Sequence, residues 1–111
     1  MNAVQESGFR VTGAGAGSLS GALNFANAGR LLSAGSASIN AREVSVIDLA
    51  GVTGADSAGL ALLIEWLSVA QAAGQSLRYD NVPAQLLQLA RLCDVEALIV
   101  GKAAVAAARQ T

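Results

Sequence analysis

The sequence predicts an α/β fold, a mixed β-sheet with helices packed against it. Three observations lead there. The apolar run Val44-Ser45-Val46-Ile47-Asp48-Leu49 has the length and β-branched content of a buried strand, and an apolar helical pattern from Leu60 to Ala73 follows it. A second unit, Ser76 to Asp80 and then the segment opened by Asn81 and Pro83, repeats the strand–helix order. Such units favour parallel crossovers within one sheet. The 111 residues, 53% apolar and 14% charged, suit a single domain with a modest core rather than a disordered chain. The domain is expected to take in residues 1–111, with its core at about 9–100 and an alanine-rich tail over 101–111.

In chain order, Phe9 to Thr12 alternates as a half-exposed strand does. Gly13-Ala14-Gly15-Ala16-Gly17 suggests a turn, and Ser18 to Leu23 the second arm of a hairpin. These glycines do not make a nucleotide loop. Ser18 falls where the third glycine of the dinucleotide fingerprint belongs, and no lysine follows in phosphate-loop spacing. Asn24 is placed to cap a helix over Phe25 to Ala34, with Phe25, Ala28, Leu31 and Leu32 on its apolar face. Gly35 to Asn40 reads as a loop or frayed turn. The strand at Glu43–Leu49 is apolar enough to be central and covered on both sides.

The next helix carries two apolar stripes. Leu60, Leu63, Ile64 and Leu67 form the first; Leu62, Trp66, Val69 and Ala73 form the second. The second stripe fits either packing against a neighbouring helix or a partner surface built on Leu62 and Trp66. Gly74 ends the helix as a left-handed cap. Leu86, Leu87, Leu89, Ala90 and Cys93 form the inner face of the third helix, where Cys93 reads as a small core residue. Val95–Val100 suggests a last short strand, and Lys102–Arg109 a terminal helix.

Composition narrows the function. A net charge of −1 gives no electrostatic footprint for nucleic acid, and Phe9, Phe25, Trp66 and Tyr79 form no stacking series. There is no histidine, so the commonest general base and metal ligand are missing. The lone Cys93 suggests a reducing compartment. Met1 to Arg10 has no apolar block of a secretory signal, and the run Leu60–Ile64 is far shorter than the ~20 residues of a membrane span, so a cytoplasmic protein is expected. No nucleophile has a visible base, and no metal or cofactor site is predicted. Asp48 reads as a strand-end residue ordering the loop after it, and Asp56 as a local cap.

What remains is the turn Asp56-Ser57-Ala58-Gly59-Leu60. It puts one hydroxyl at a helix start, where unpaired N–H groups suit a capping side chain, a phosphate or a protein contact. With Asp48-Leu49 before it, this turn resembles the signature of STAS domains, the domains of anti-sigma-factor antagonists and of sulfate-transporter tails. The resemblance runs from about Phe9 to Ile99. Asp56 to Leu67 and Asn81 to Leu92 are most similar to the MlaB-type branch, the small STAS subunits of phospholipid-transporting ABC complexes.

That resemblance implies a STAS-like mixed sheet and a non-enzymatic cytoplasmic subunit that binds and supports an ABC transporter ATPase, peripheral to the inner membrane through that partner. It implies a partner surface at Asp56, Ser57, Ala58, Gly59, Ala61, Leu62, Glu65 and Trp66. The alternative it carries is an anti-sigma-factor antagonist switched by phosphorylation of Ser57. Two positions depart from the family pattern. Ala50 lacks the hydroxyl often found there, and Ala55 is smaller than usual, which predicts looser packing under the turn.

Overall fold

The computed structural model describes residues 8–100, so the tail helix expected over 102–109 lies outside the described residues. The elements run β1 (Gly8–Gly13), β2 (Gly15–Leu23), α1 (Ala28–Asn40), β3 (Val44–Ala55), α2 (Ser57–Ala72), β4 (Arg78–Asp80), α3 (Ala84–Leu92) and α4 (Glu96–Val100). The sheet order is β1-β2-β3-β4. β1 and β2 are antiparallel, whereas β2–β3 and β3–β4 are parallel. Two successive right-handed crossovers in the same direction set α1 and α2 on one face of the sheet. Their N-termini therefore lie at the same end, beyond the carboxyl ends of β2 and β3.

The core lies between that face and the helices. Leu19 and Leu23 of β2, with Val44, Ile47 and Leu49 of β3, meet Leu31 and Ile39 of α1 and Leu60, Leu63 and Trp66 of α2. The other face is more open. In β3, Ser45 and Ala50 are exposed and Val46 and Asp48 half-buried. β3 is thus interior to the sheet but covered on one face, not two. The apolar run misled because Val46 points to the thinly covered side.

Several elements differ from the sequence expectation. β2 begins at Gly15, so the hairpin turn is tighter than the glycine run suggested; Gly15 takes the positive φ of 75° that this turn needs. α1 starts at Ala28 and runs unbroken through Gly35 to Asn40. Asn24 caps a turn ahead of it instead: its Oδ1 accepts from the Ala26 N–H at 2.9 Å and the Asn27 N–H at 3.3 Å. β3 extends to Ala55, so Asp48 sits within the strand rather than at its end. Val95–Val100 contributes a helical turn, not a strand. A short apolar run has no period that separates the two, and the Arg91–Glu96 ion pair at 2.7 Å ties this turn to α3. Cys93 is exposed at the C-cap of α3, outside the core.

Three helices end alike. The amide of Gln75 donates to the Ala70 carbonyl at 2.8 Å and that of Gly74 to Gln71 at 3.0 Å, the two bonds of a Schellman cap, with Gly74 at φ 71°. Glu43 and Arg42 close α1 in the same way, and Val95 and Asp94 close α3. Arg42 and Asp94 occupy the left-handed position without being glycine, at φ 62° and 61°. Arg42 Nη2 also donates to the Ala73 carbonyl at 3.0 Å, joining the ends of α1 and α2. Asp94 makes no such link, so Asp94→Gly relieves the left-handed strain alone. It should raise the unfolding free energy in urea by about 1 kcal/mol.

Tyr79 of β4 is buried, and its hydroxyl donates to the Leu63 carbonyl of α2 at 2.6 Å. Burial pushes this phenol well above its ordinary range. The unfolded chain gives up the proton first, so Tyr79 contributes its full stability below the unfolded value of about 10 and loses it as pH rises above that. Tyr79→Phe should cost about 1 kcal/mol at neutral pH and flatten the alkaline loss of stability, both read by denaturant melts across pH.

Candidate functional site

The end of β3 turns sharply into α2. The Asp56 amide donates to the Leu23 carbonyl at 3.1 Å, which fixes the turn on the end of β2. The Asp56 carboxylate accepts from the Ala58 N–H at 2.8 Å and the Gly59 N–H at 3.4 Å, so Asp56 is the N-cap and Ser57 the first helical residue. Gly59 lies against β2. A Cβ there would stand 2.8 Å from the Leu23 Cβ and 3.2 Å from that of Ala55. The short Ala55 side chain is therefore closely packed under the turn, not loosely.

With the turn held from beneath, Ser57 points outward. Ser57 is exposed, and its hydroxyl has no hydrogen-bond partner among the described residues. It opens onto an apolar groove of about 520 Å³ between the first turns of α1 and α2. Ser57, Ala58, Ala61, Leu62 and Glu65 line the α2 side; Phe25, Ala28, Gly29 and Leu32 line the other.

Five of the eight residues expected at a partner surface therefore share this groove. Asp56 stands beside it as the cap. Two are corrected. Gly59 is buried against the protein's own β2. Trp66, at 0% exposure, belongs to the core. Its ring lies 5.6 Å from that of Phe9, its Nε1–H donates to the Leu32 carbonyl at 3.2 Å, and Gly35 of α1 packs flat on the indole, where any Cβ would collide. Of the two explanations for the second stripe, Trp66 follows helix packing. Leu62 is also buried, at 3%, and reaches the groove only as its floor.

The α1 half of the groove was not foreseen. Phe25, expected on an inner helical face, is 89% exposed because the chain at Phe25 is still in the turn before α1. The signal was the asparagine pair around it: Asn27 Oδ1 accepts from the Asn24 N–H at 2.9 Å, and Asn27 Nδ2 donates to the Ala22 carbonyl at 2.7 Å.

Asp48 is not part of this groove. Its carboxylate accepts from Asn81 Nδ2 and from the Ala50 N–H, both at 2.9 Å, and those two bonds hold it below its ordinary carboxyl range. The Ala55 N–H, left unpaired where β4 stops, donates to Gln85 Oε1 at 3.0 Å. These side chains finish the edge of β3 where the sheet does not. Among the described residues there is no cluster of His, Cys, Asp or Glu that could hold a metal. Among the described residues no helix is long and apolar enough to cross a membrane.

Residues 10–101 match the family model described as Mlab, STAS domain, and the chain belongs to the STAS domain family. Members of this family are generally non-enzymatic regulatory domains that mediate protein–protein interactions. No curated protein matches the chain in sequence. Among solved structures it is similar to the unphosphorylated anti-sigma factor antagonist SpoIIAA, with a TM-score of 0.61 and 13% identity over 78% of this chain and 83% of that one. It is also similar to the phosphorylated form of SpoIIAA, the Bacillus cell fate determinant, with a TM-score of 0.63 and 13% identity over 96% and 100%. At that identity the likeness establishes the fold, a mixed four-stranded sheet with helices.

The cap and the exposed hydroxyl should separate cleanly in stability. Asp56→Ala removes the acceptor for two helix-start amides and should cost about 0.5–2 kcal/mol. Ser57→Ala should stay within about 0.5 kcal/mol of the parent chain in the same urea titration.

Proposed function

We propose that this chain is a non-enzymatic STAS subunit that docks on the ATPase of a phospholipid-transporting ABC complex and supports its assembly and activity. In that role it works at the cytoplasmic side of the inner membrane, held there through its partner, and serves the lipid asymmetry of the outer membrane. One observation carries the reading: an exposed, unpartnered Ser57 hydroxyl stands on the rim of an apolar groove whose α2 wall is built of Ala58 and Ala61. Small side chains let a partner backbone come close, and the hydroxyl supplies a directional bond worth about 0.5–1.5 kcal/mol. The match to the Mlab-type family model supports the choice of partner.

The exposed hydroxyl also favours a second reading, an anti-sigma-factor antagonist switched at Ser57. A kinase can reach this residue, and a phosphate would add about −1.5 to −2 charges beside Asp56. Either way a negative charge at Ser57 opposes docking by repulsion and by desolvation.

The test is the affinity for the co-expressed ATPase subunit, measured by calorimetry. Ser57→Ala should weaken binding by up to about tenfold and Ser57→Asp by more than that, with melting temperatures unchanged. Equal affinity for all three chains removes Ser57 from the interface. Phosphate incorporation at Ser57 by a serine kinase, without ATPase binding, transfers the assignment to the second reading.

A further inference from the structure

The geometry points to Phe25 and Glu65 as the two anchors of the docking groove, and to a basic, apolar-faced α-helix of the partner as what the groove receives. This rests on the docking reading above and adds the half of the surface that lies outside the Ser57 turn.

Phe25 is the most exposed of the large apolar side chains described. Its position is fixed rather than loose. The Asn24 and Asn27 side chains bond to the backbone of residues 22–27, and the Asn27 and Ala28 amides donate to the Asn24 carbonyl at 3.1 and 2.9 Å. An aromatic ring carried on a fixed backbone turn and left in solvent at a groove mouth costs little backbone freedom on binding and buries a large apolar area. Phe25 and Ser57 stand at the same end of the groove, because α1 and α2 start at the same end of the sheet.

Glu65 lies eight residues along α2 from Ser57, about 12 Å down the helix axis. It is the one charged residue lining the groove, and it makes no ion pair among the described residues. An unpaired carboxylate at the far end of an apolar trough is complemented by a lysine or arginine. The walls decide the shape of the occupant. Apart from the turn that carries Phe25, both are helical, so their backbone groups already bond within α1 and α2 or to the residues that cap them. An extended segment laid there would lose its own backbone hydrogen bonds to water without replacing them. A helix brings its bonds with it. Gly29, where an added Cβ would meet nothing within 4 Å, leaves the α1 wall low enough for it to settle.

The experiment is calorimetric titration of the full chain with the ATPase subunit, at low and high salt. Phe25→Ala should weaken binding at least tenfold with an unchanged melting temperature, because the ring is exposed. Glu65→Gln should weaken binding and flatten its salt dependence, and Glu65→Lys should weaken it further. If Phe25→Ala and Glu65→Gln bind as the parent chain does while Ser57→Asp still disrupts, this inference falls and the docking reading stands. If the parent chain does not bind, both fall. Light scattering that finds a dimer abolished by Phe25→Ala gives the groove to a second copy of the chain and also overturns the inference.

Discussion

The amide of Asp56 donates to the Leu23 carbonyl, and Gly59 rests on the Leu23 side chain. This double attachment pins the first turn of α2 to the end of β2, and the surface above it depends on that. The Asp56 carboxylate takes the Ala58 and Gly59 amides, so the helix start is satisfied from within the chain. The Ser57 hydroxyl is then free for something outside the domain. A larger residue at 59 would lift the turn, tilt α2 and change the direction in which Ser57 points.

Trp66 sets the second dimension. Its ring fills the space between α1, α2 and β1, touching Gly35 on one side and Phe9 on another. The indole N–H finds a carbonyl of α1, as a buried tryptophan requires. Because Gly35 has no side chain, α1 and α2 close on each other at this level. Toward their N-termini, where Ala28, Gly29, Ala58 and Ala61 face one another, no large side chain fills the gap and the groove opens. Close packing at one level and small residues at the next produce the cleft together.

The sheet asks for less and is finished by side chains. β4 pairs with β3 over three positions only. Beyond them, Asp48 takes the Ala50 amide and the Asn81 side chain, and Gln85 takes the Ala55 amide. The long β3 edge thus avoids presenting a row of open donors, the usual liability of an uncovered strand. This lets β3 run on to the turn that carries Ser57.

The fold class, a strand starting near Val44, the Asp56-Ser57 turn and the helix it opens were legible in the sequence, because period, composition and capping chemistry are local properties; the run of β3 past Leu49 to Ala55 and the exposure of Ser57 were not. Asp56 as the cap and Gly74 as the left-handed stop follow from one or two neighbouring residues. What the sequence left open was decided across the chain. Gly35 reads as a breaker until Trp66, far along the sequence, is seen to need it inside a helix. Trp66 itself reads as core or as contact until α1 covers it. Phe25 looks like a core residue until the two asparagines hold it out of α1, and Cys93 until α3 is seen to end in a cap that turns it to solvent. In each case the residue type set what was possible, and the tertiary neighbours settled which side of the surface it lies on, since burial depends on the three-dimensional surroundings and not on the residue alone.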